Sequence, residues 1–173
     1  MNFKTGLPSF FEIFPDAPDR ARFIAQLKRH EGERLTAYLD SVGVLTVGVG
    51  HNCEAHPVLE VEKPGDKISP EASNELLLSD LESHSHPLLN RLPWLVNLSA
   101  PRRAVILNMA FNLGVNGLLS FRNTLALLEK ALNKQGSYQA VSNGMLASKW
   151  AGQVGRRAYE LAKQMQTGEW QKG

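Results

Sequence analysis

The chain reads as an α+β protein, mostly α, in which a small lobe built on a β-hairpin and a larger helical lobe are joined by a long helix. Three observations predict this class. A period-two stretch from Arg34 to Val49 is the one strong strand signal, everything legible beyond Pro87 has a helical period, and Ser69-Pro70-Glu71 opens a helix between the two. The expected division is an arm over residues 1–18, a small α+β lobe over 19–68, an interlobe helix over 69–86 and a helical lobe over 87–173, all within one domain.

Residues 1–15 contain Phe3, Phe10, Phe11 and Phe14 without a clean period, which predicts an irregular arm packed across the body. From Asp16 the pattern turns helical. Asp16 suits a cap, Pro18 a first turn, and Phe23, Ile24 and Leu27 form one apolar stripe that Gly32 closes as a left-handed cap. In the first strand Leu35, Ala37 and Leu39 share one face and Tyr38 and Asp40 the other. Asp40-Ser41-Val42-Gly43 has the residues of a turn, after which Leu45, Val47 and Val49 alternate with Thr46, Gly48 and Gly50. One face of the hairpin is therefore expected to be apolar and the other a floor of small residues.

Residues 52–68, broken by Pro57, Pro64 and Gly65, read as a loop with at most one short strand. The helix that follows is expected to stop at Pro87. Helices are then predicted from Pro101 to Leu113, Thr124 to Lys134, Tyr138 to Leu146 and Gly155 to Thr167, ended in turn by glycines at 114, 136 and 168 where one is present. No internal repeat is visible.

The chain has 173 residues, of which 43% are hydrophobic and 21% charged, so it is long enough to bury a core and too apolar for disorder. No apolar run approaches the roughly 20 residues that cross a bilayer, and membrane insertion is not expected. The first fourteen residues lack the regions of a signal peptide. Synthesis in a cytoplasm is therefore expected, and the single Cys53 excludes an intramolecular disulfide. The formal charge of +2 hides an asymmetry: residues 1–85 carry 8 Lys and Arg against 14 Asp and Glu, and residues 86–173 carry 11 against 3. The basic half either solvates helix surfaces or holds an anionic polymer.

Glu31 falls four residues after Leu27 and eight after Phe23, on the apolar stripe at the end of its helix. Partial burial and the negative end of the helix dipole both favour its protonated form, as a general acid requires, although an ion pair with Arg29, Arg34 or a distant arginine accounts equally for a helix-end glutamate. Asp40 lies nine residues on, on the open strand face, where it either caps the turn or works ionised beside a water. Thr46 shares its face with Gly48 and Gly50, where a hydroxyl can hold a water and bare backbone leaves room for a chain-like ligand. The alternative is an ordinary strand threonine beside glycines that mark a bulge. Two carboxyls in contrasting settings suit a glycosidase.

His51, Cys53, His56, His84 and His86 match no common zinc spacing, so neither metal nor cofactor is expected and His51 is read as the partner of a carboxylate. Arg102, Arg103, Arg156 and Arg157 sit at helix starts against the dipole, which hints at a ligand or carboxylate nearby.

The string Glu31-Gly32-x5-Tyr38-x-Asp40-x2-Gly43-x2-Thr46-x-Gly48-x-Gly50-His51 resembles the signature of the phage-type lysozymes, the glycoside hydrolases that include T-even phage endolysins. Ser69 to Asp80, Asn108 to Gly114, and Trp150 with Arg157-Ala158 resemble later parts of that family in the same order, so the likeness covers about residues 20 to 170. The resemblance implies a lysozyme-like two-lobe fold. It also implies hydrolysis of the β-1,4 bond between N-acetylmuramic acid and N-acetylglucosamine in peptidoglycan, with inversion, by a monomer that needs no nucleic acid partner. By the same likeness Glu31 is the acid, Asp40 and Thr46 hold the water, and Asn52, Phe111, Asn112 and Thr124 line the saccharide cleft. His51 pairs with Asp80, and Arg157 approaches Glu31. By the same likeness the protein would be made in a bacterial host cytoplasm and act on the periplasmic wall after release or delivery. The arm is extra, the loop from His51 to Ser69 is shorter than in the best-known members, and Lys149 and Asn112 replace an arginine and a glutamine found elsewhere in the family. A lytic transglycosylase and a catalytically silent wall-binding or tail-structure protein are the rival readings. Asp40 and Thr46 weigh against the first, and the intact Glu31, Asp40 and Thr46 against the second.

Overall fold

The computed structural model describes residues 6–173. Among these, the elements run α1 (Ser9–Ile13), α2 (Ala17–Glu31), β1 (Arg34–Leu39), β2 (Leu45–Gly48), β3 (His51–Asn52), α3 (Pro70–Arg91), α4 (Ala100–Leu113), α5 (Val115–Leu119), α6 (Arg122–Leu132), α7 (Tyr138–Leu146), α8 (Lys149–Val154) and α9 (Arg156–Thr167), with a 3-10 turn at Pro93–Asn97. The three strands form one antiparallel sheet in the order β1-β2-β3. The mostly helical α+β class is the one the sequence predicts.

The chain divides into two compact units, one of Ala21–Ser83 and the other of the residues up to Arg20 together with His84–Gly173. Helix α3 belongs to both, changing unit between Ser83 and His84.

In the unit of Ala21–Ser83, Ala37, Val47, Cys53, Val61 and Ile68 make the core, with Leu35, Leu45, Ala72 and Leu76 packed on it. The expected apolar hairpin face is thus present, except that Leu39 is 56% exposed because the core ends where the turn begins. Gly43 donates to Asp40 O at 3.0 Å and takes a φ of +85°, which closes the turn. The segment read as a loop is less free than expected. Residues 51–52 pair with β2, while Ala37 donates to Asp66 O, Gly65 to Ala37 O and Ile68 to Leu35 O, so the chain before α3 covers the outer edge of β1. Asp66 anchors this segment by accepting from the amides of Glu62 and Lys63, bonds that hold its carboxyl below the usual range.

The small-residue floor needs correction. Gly48 is buried at φ +66°, and a Cβ there would meet Ser73 Oγ at 3.2 Å, so its bareness admits helix α3 rather than a ligand. A register shift between Arg34 and Tyr38 shows the bulge that such a glycine can mark. Gly50, in contrast, faces open space.

Helix α3 starts as expected, with Ser69 Oγ accepting from the Ala72 amide at 3.0 Å. Its end does not fall at Pro87. The proline sits inside the helix, which continues to Arg91 because Leu88, Leu89 and Leu92 are buried beyond it. That burial outweighs the cost of a proline inside a helix, about 3 kcal/mol for the lost hydrogen bond and the ring's clash together.

The other unit packs around α4, whose residues 104–110 are all buried. Among its described residues the arm is not irregular: α1 buries Phe10 and Ile13, Phe14 is buried just beyond it, and Arg20 donates to Phe14 O at 2.7 Å. Phe3 lies outside the described residues. Helix α6 starts two residues before the expected position and ends at Leu132, since Lys134 takes the left-handed turn at φ +59° in place of Gly136 and Gln135 donates to Lys130 O. Helix α9 ends on Gly168 at φ +72° as predicted.

Candidate active site

Glu31 is the last residue of α2, half-buried below Phe23 and Leu27, which are fully buried on the same stripe. Gly32 then turns the chain at φ +77°, donating to Lys28 O, and delivers it directly into β1. The position of this carboxyl is therefore tied to both the helix and the sheet. Two residues on, Glu33 accepts from Ser73 Oγ at 2.7 Å and Lys28 Nζ at 3.3 Å, and Lys28 also reaches Asn74. The Ser73 hydrogen bond, with the Lys28 charge assisting, holds the Glu33 carboxyl below its usual range. This cluster pins the α2–β1 junction to α3.

Asp40 follows β1 directly. Its Oδ1 accepts from the amides of Val42 and Val44, both at 2.9 Å, so it does cap the turn. That use occupies one oxygen and leaves Oδ2 without a hydrogen bond among the described residues, available to a water.

Thr46 pairs with Tyr38 on β1 and with Asn52 on β3, and is buried. Its hydroxyl donates to Val44 O at 2.9 Å. With its proton committed, the Thr46 oxygen is left as an acceptor, able to orient the O–H of a water.

His51 Nδ1 lies 2.8 Å from Asp80 Oδ2, and Nε2 lies 2.9 Å from His56 O. The pair ties β3 to α3. Asn52 is exposed, but its Oδ1 accepts from the amides of Glu54 and Ala55, so it shapes the turn after β3. Among the described residues no three His, Cys, Asp or Glu side chains converge as a metal site.

In the helical unit, Phe111 and Asn112 end α4. Asn112 is exposed and accepts at Oδ1 from Trp150 Nε1 at 2.9 Å, while Trp150 is buried and meets Phe121 edge-on at 6.2 Å. An indole only donates, so the amide oxygen must face Trp150 and the two Nδ2 hydrogens must face away. The ring of Phe111 lies 5.2 Å from that of His84, tilted by 32°.

Thr124 is buried against α7, where a Cβ on Gly144 would come within 2.9 Å of its hydroxyl. The two helices pack closely at this point. Arg157 donates through Nε and Nη2 to Oδ1 of Asn108, a fully buried side chain on α4.

For one of the arginine pairs, Arg102 and Arg103, the structure shows partners other than a ligand. Arg102 donates to the carbonyls of Met165 and Gln166 at the end of α9, and Arg103 to that of Ile13 at the end of α1. Each begins its own helix but satisfies the orphan carbonyls of another. Burial pushes both guanidiniums down from their ordinary value.

The sequence reading missed Asn108, Ser73 and Trp150 as partners. Asn108 had a signal, because it is the single polar residue within the apolar run 104–110 of α4. Ser73 had none.

A family model described as phage lysozyme matches residues 28–167 of this chain. The chain belongs to the phage lysozyme family. It is 35% identical over 133 residues to the endolysin of Salmonella phage P22, covering 75% of this chain and 82% of that protein. It is 29% identical over 163 residues to probable T4-type lysozyme 1 of Dictyostelium discoideum, with 82% and 92% covered. The pre-baseplate central spike protein Gp5 of Enterobacteria phage T4 is 27% identical over 165 residues, which is 84% of this chain but 28% of that protein. As a phage lysozyme the protein is a peptidoglycan hydrolase. The lysozyme match begins at Lys28, so α1 and most of α2 lie before it.

Proposed function

We propose that this lysozyme cleaves the β-1,4 bond between N-acetylmuramic acid and N-acetylglucosamine, with Glu31 protonating the leaving oxygen and Asp40 and Thr46 holding the attacking water. The observation that carries the reading is the contrast between the two carboxyls. Glu31 is half-buried at the end of an apolar helix stripe, fixed between helix and sheet by the turn at Gly32. Asp40 lies on the turn with two backbone amides donating to it, bonds that a carboxylate accepts. Thr46, its own proton given to Val44 O, supplies an acceptor for the water. Attack by water from the face opposite the leaving group inverts the anomeric carbon.

On the helical unit, the outward Nδ2 of Asn112 supplies donors for an acetamido or hydroxyl oxygen, and Phe111 an apolar ring face for a sugar. The protein acts as a monomer on the periplasmic wall, reaching it by release or delivery from the host cytoplasm. Relatives named as an endolysin and as a baseplate spike protein fit either route.

The test is clearing of outer-membrane-stripped bacteria by wild type and Glu31→Gln. Removal of a general acid is expected to cost about 10²–10⁴-fold in rate with the fold kept, and equal clearing by both proteins refutes the assignment. Products carrying an added water at a reducing end support hydrolysis, while anhydro products show a transglycosylase.

A further inference from the structure

We propose that His84 is a positioning residue that sets the tilt of the Phe111 ring, so that the two rings together present a platform to one N-acetylhexosamine of the glycan. The inference rests on the reading of Phe111 as a saccharide contact. Its observation is the ring pair itself: centroids 5.2 Å apart, interplanar angle 32°, both residues half-buried and both within the helical unit.

The geometry is that of neither a stacked sandwich nor an edge contact, but a tilted pair within the 4.5–7 Å range in which aromatic rings attract. A phenylalanine at the end of a helix has two side-chain torsions to fix, and α4 stops two residues later at Leu113. The helical backbone confines its χ1 to two main wells, and a neighbouring ring selects between them. The His84 ring supplies that restraint from α3, within the same unit. Pyranose rings present a face of C–H groups, and a fixed aromatic face binds them at less entropic cost than a ring free to rotate.

His84 has no part in the proposed proton transfers, so its effect belongs in substrate binding. His86 serves as the comparison: two residues on, exposed, its ring nitrogens lie 3.3 Å from Ser9 Oγ and 3.4 Å from Asn90 Nδ2.

The experiment measures KM and kcat on soluble, uncrosslinked peptidoglycan strands for wild type, His84→Leu, His84→Phe, Phe111→Ala and His86→Ala. Leucine keeps apolar bulk against α4 and removes the ring. His84→Leu should raise KM about two- to tenfold, the value of one aromatic pair, with kcat held within about twofold. His84→Phe should restore wild-type KM, and His86→Ala should leave it unchanged. An unchanged KM in His84→Leu, or a failure of His84→Phe to restore it, overturns the inference. A normal KM in Phe111→Ala overturns the saccharide reading of Phe111 together with it, and absence of cleavage by wild type overturns the enzymatic reading.

Discussion

The indole of Trp150 donates to Oδ1 of Asn112 at 2.9 Å, and this bond decides which end of the Asn112 amide faces solvent. Trp150→Phe keeps the aromatic packing with Phe121 and removes the donor. It is expected to lower stability by about 1–2 kcal/mol, roughly 2–8 °C in Tm. Asn112→Asp separates structure from recognition, because a carboxylate still accepts from Trp150 but has no outward N–H. Thermal melts should show Asn112→Asp close to wild type, and clearing should slow by about two- to tenfold. An Asn112→Asp protein that clears normally removes the amide from recognition.

Asp40 has two jobs, and two substitutions divide them. Asn at this position keeps an Oδ1 for the Val42 and Val44 amides, whereas Ala loses the turn cap as well. Asp40→Asn should melt within about 2 °C of wild type and Asp40→Ala some 2–4 °C lower, for about 1 kcal/mol of lost capping. Both should lose at least about 10²-fold in clearing, the usual share of a general acid or base. Normal clearing by Asp40→Asn would reduce this residue to a turn former.

Glu31 and the hairpin that turns at Asp40 show what a sequence reveals and what it hides. Both were legible because each follows from a local rule: a stripe with helical period that ends at Gly32, and an Asp-to-Gly turn between period-two runs. Elements α5 and α8, of 5 and 6 residues, were not legible, since neither completes two helical turns and so shows no periodicity. Pro87 and Lys134 misled for the opposite reason. Their local preferences are clear, and distant packing by Leu88 and Leu89, or the closure of Gln135 onto Lys130, overrides them. Site residues whose role depends on a partner far along the chain, such as Ser73 for Glu33 or Trp150 for Asn112, carry no local mark at all.

The Glu33–Ser73 bond should make part of the stability pH-dependent. The folded carboxyl sits below its ordinary value of 4.5, so its contribution is fully present above that value and is lost as pH falls through the lower folded value. Ser73→Ala removes the leading cause. In urea unfolding at neutral pH it should cost about 0.5–1 kcal/mol, a modest figure because Glu33 is partly exposed to solvent. That difference should shrink in acid. A Ser73→Ala cost that stays constant from neutral pH into acid would remove the Glu33 ionisation from the explanation.

Cys53 provides a probe of the small unit's integrity. It is buried in the core with Ala37, Val47, Val61 and Ile68, and burial, aided by the negative charge of Asp80, pushes its thiol above the ordinary value. Only the thiolate attacks a disulfide reagent, so both its scarcity and its inaccessibility slow the reaction. With an aromatic disulfide reagent at neutral pH, the native protein should label at least about tenfold more slowly than a free cysteine. Urea sufficient to unfold the unit should restore fast, stoichiometric labelling. Fast labelling without denaturant would place Cys53 at the surface and contradict the packing of β2 and β3 against α3.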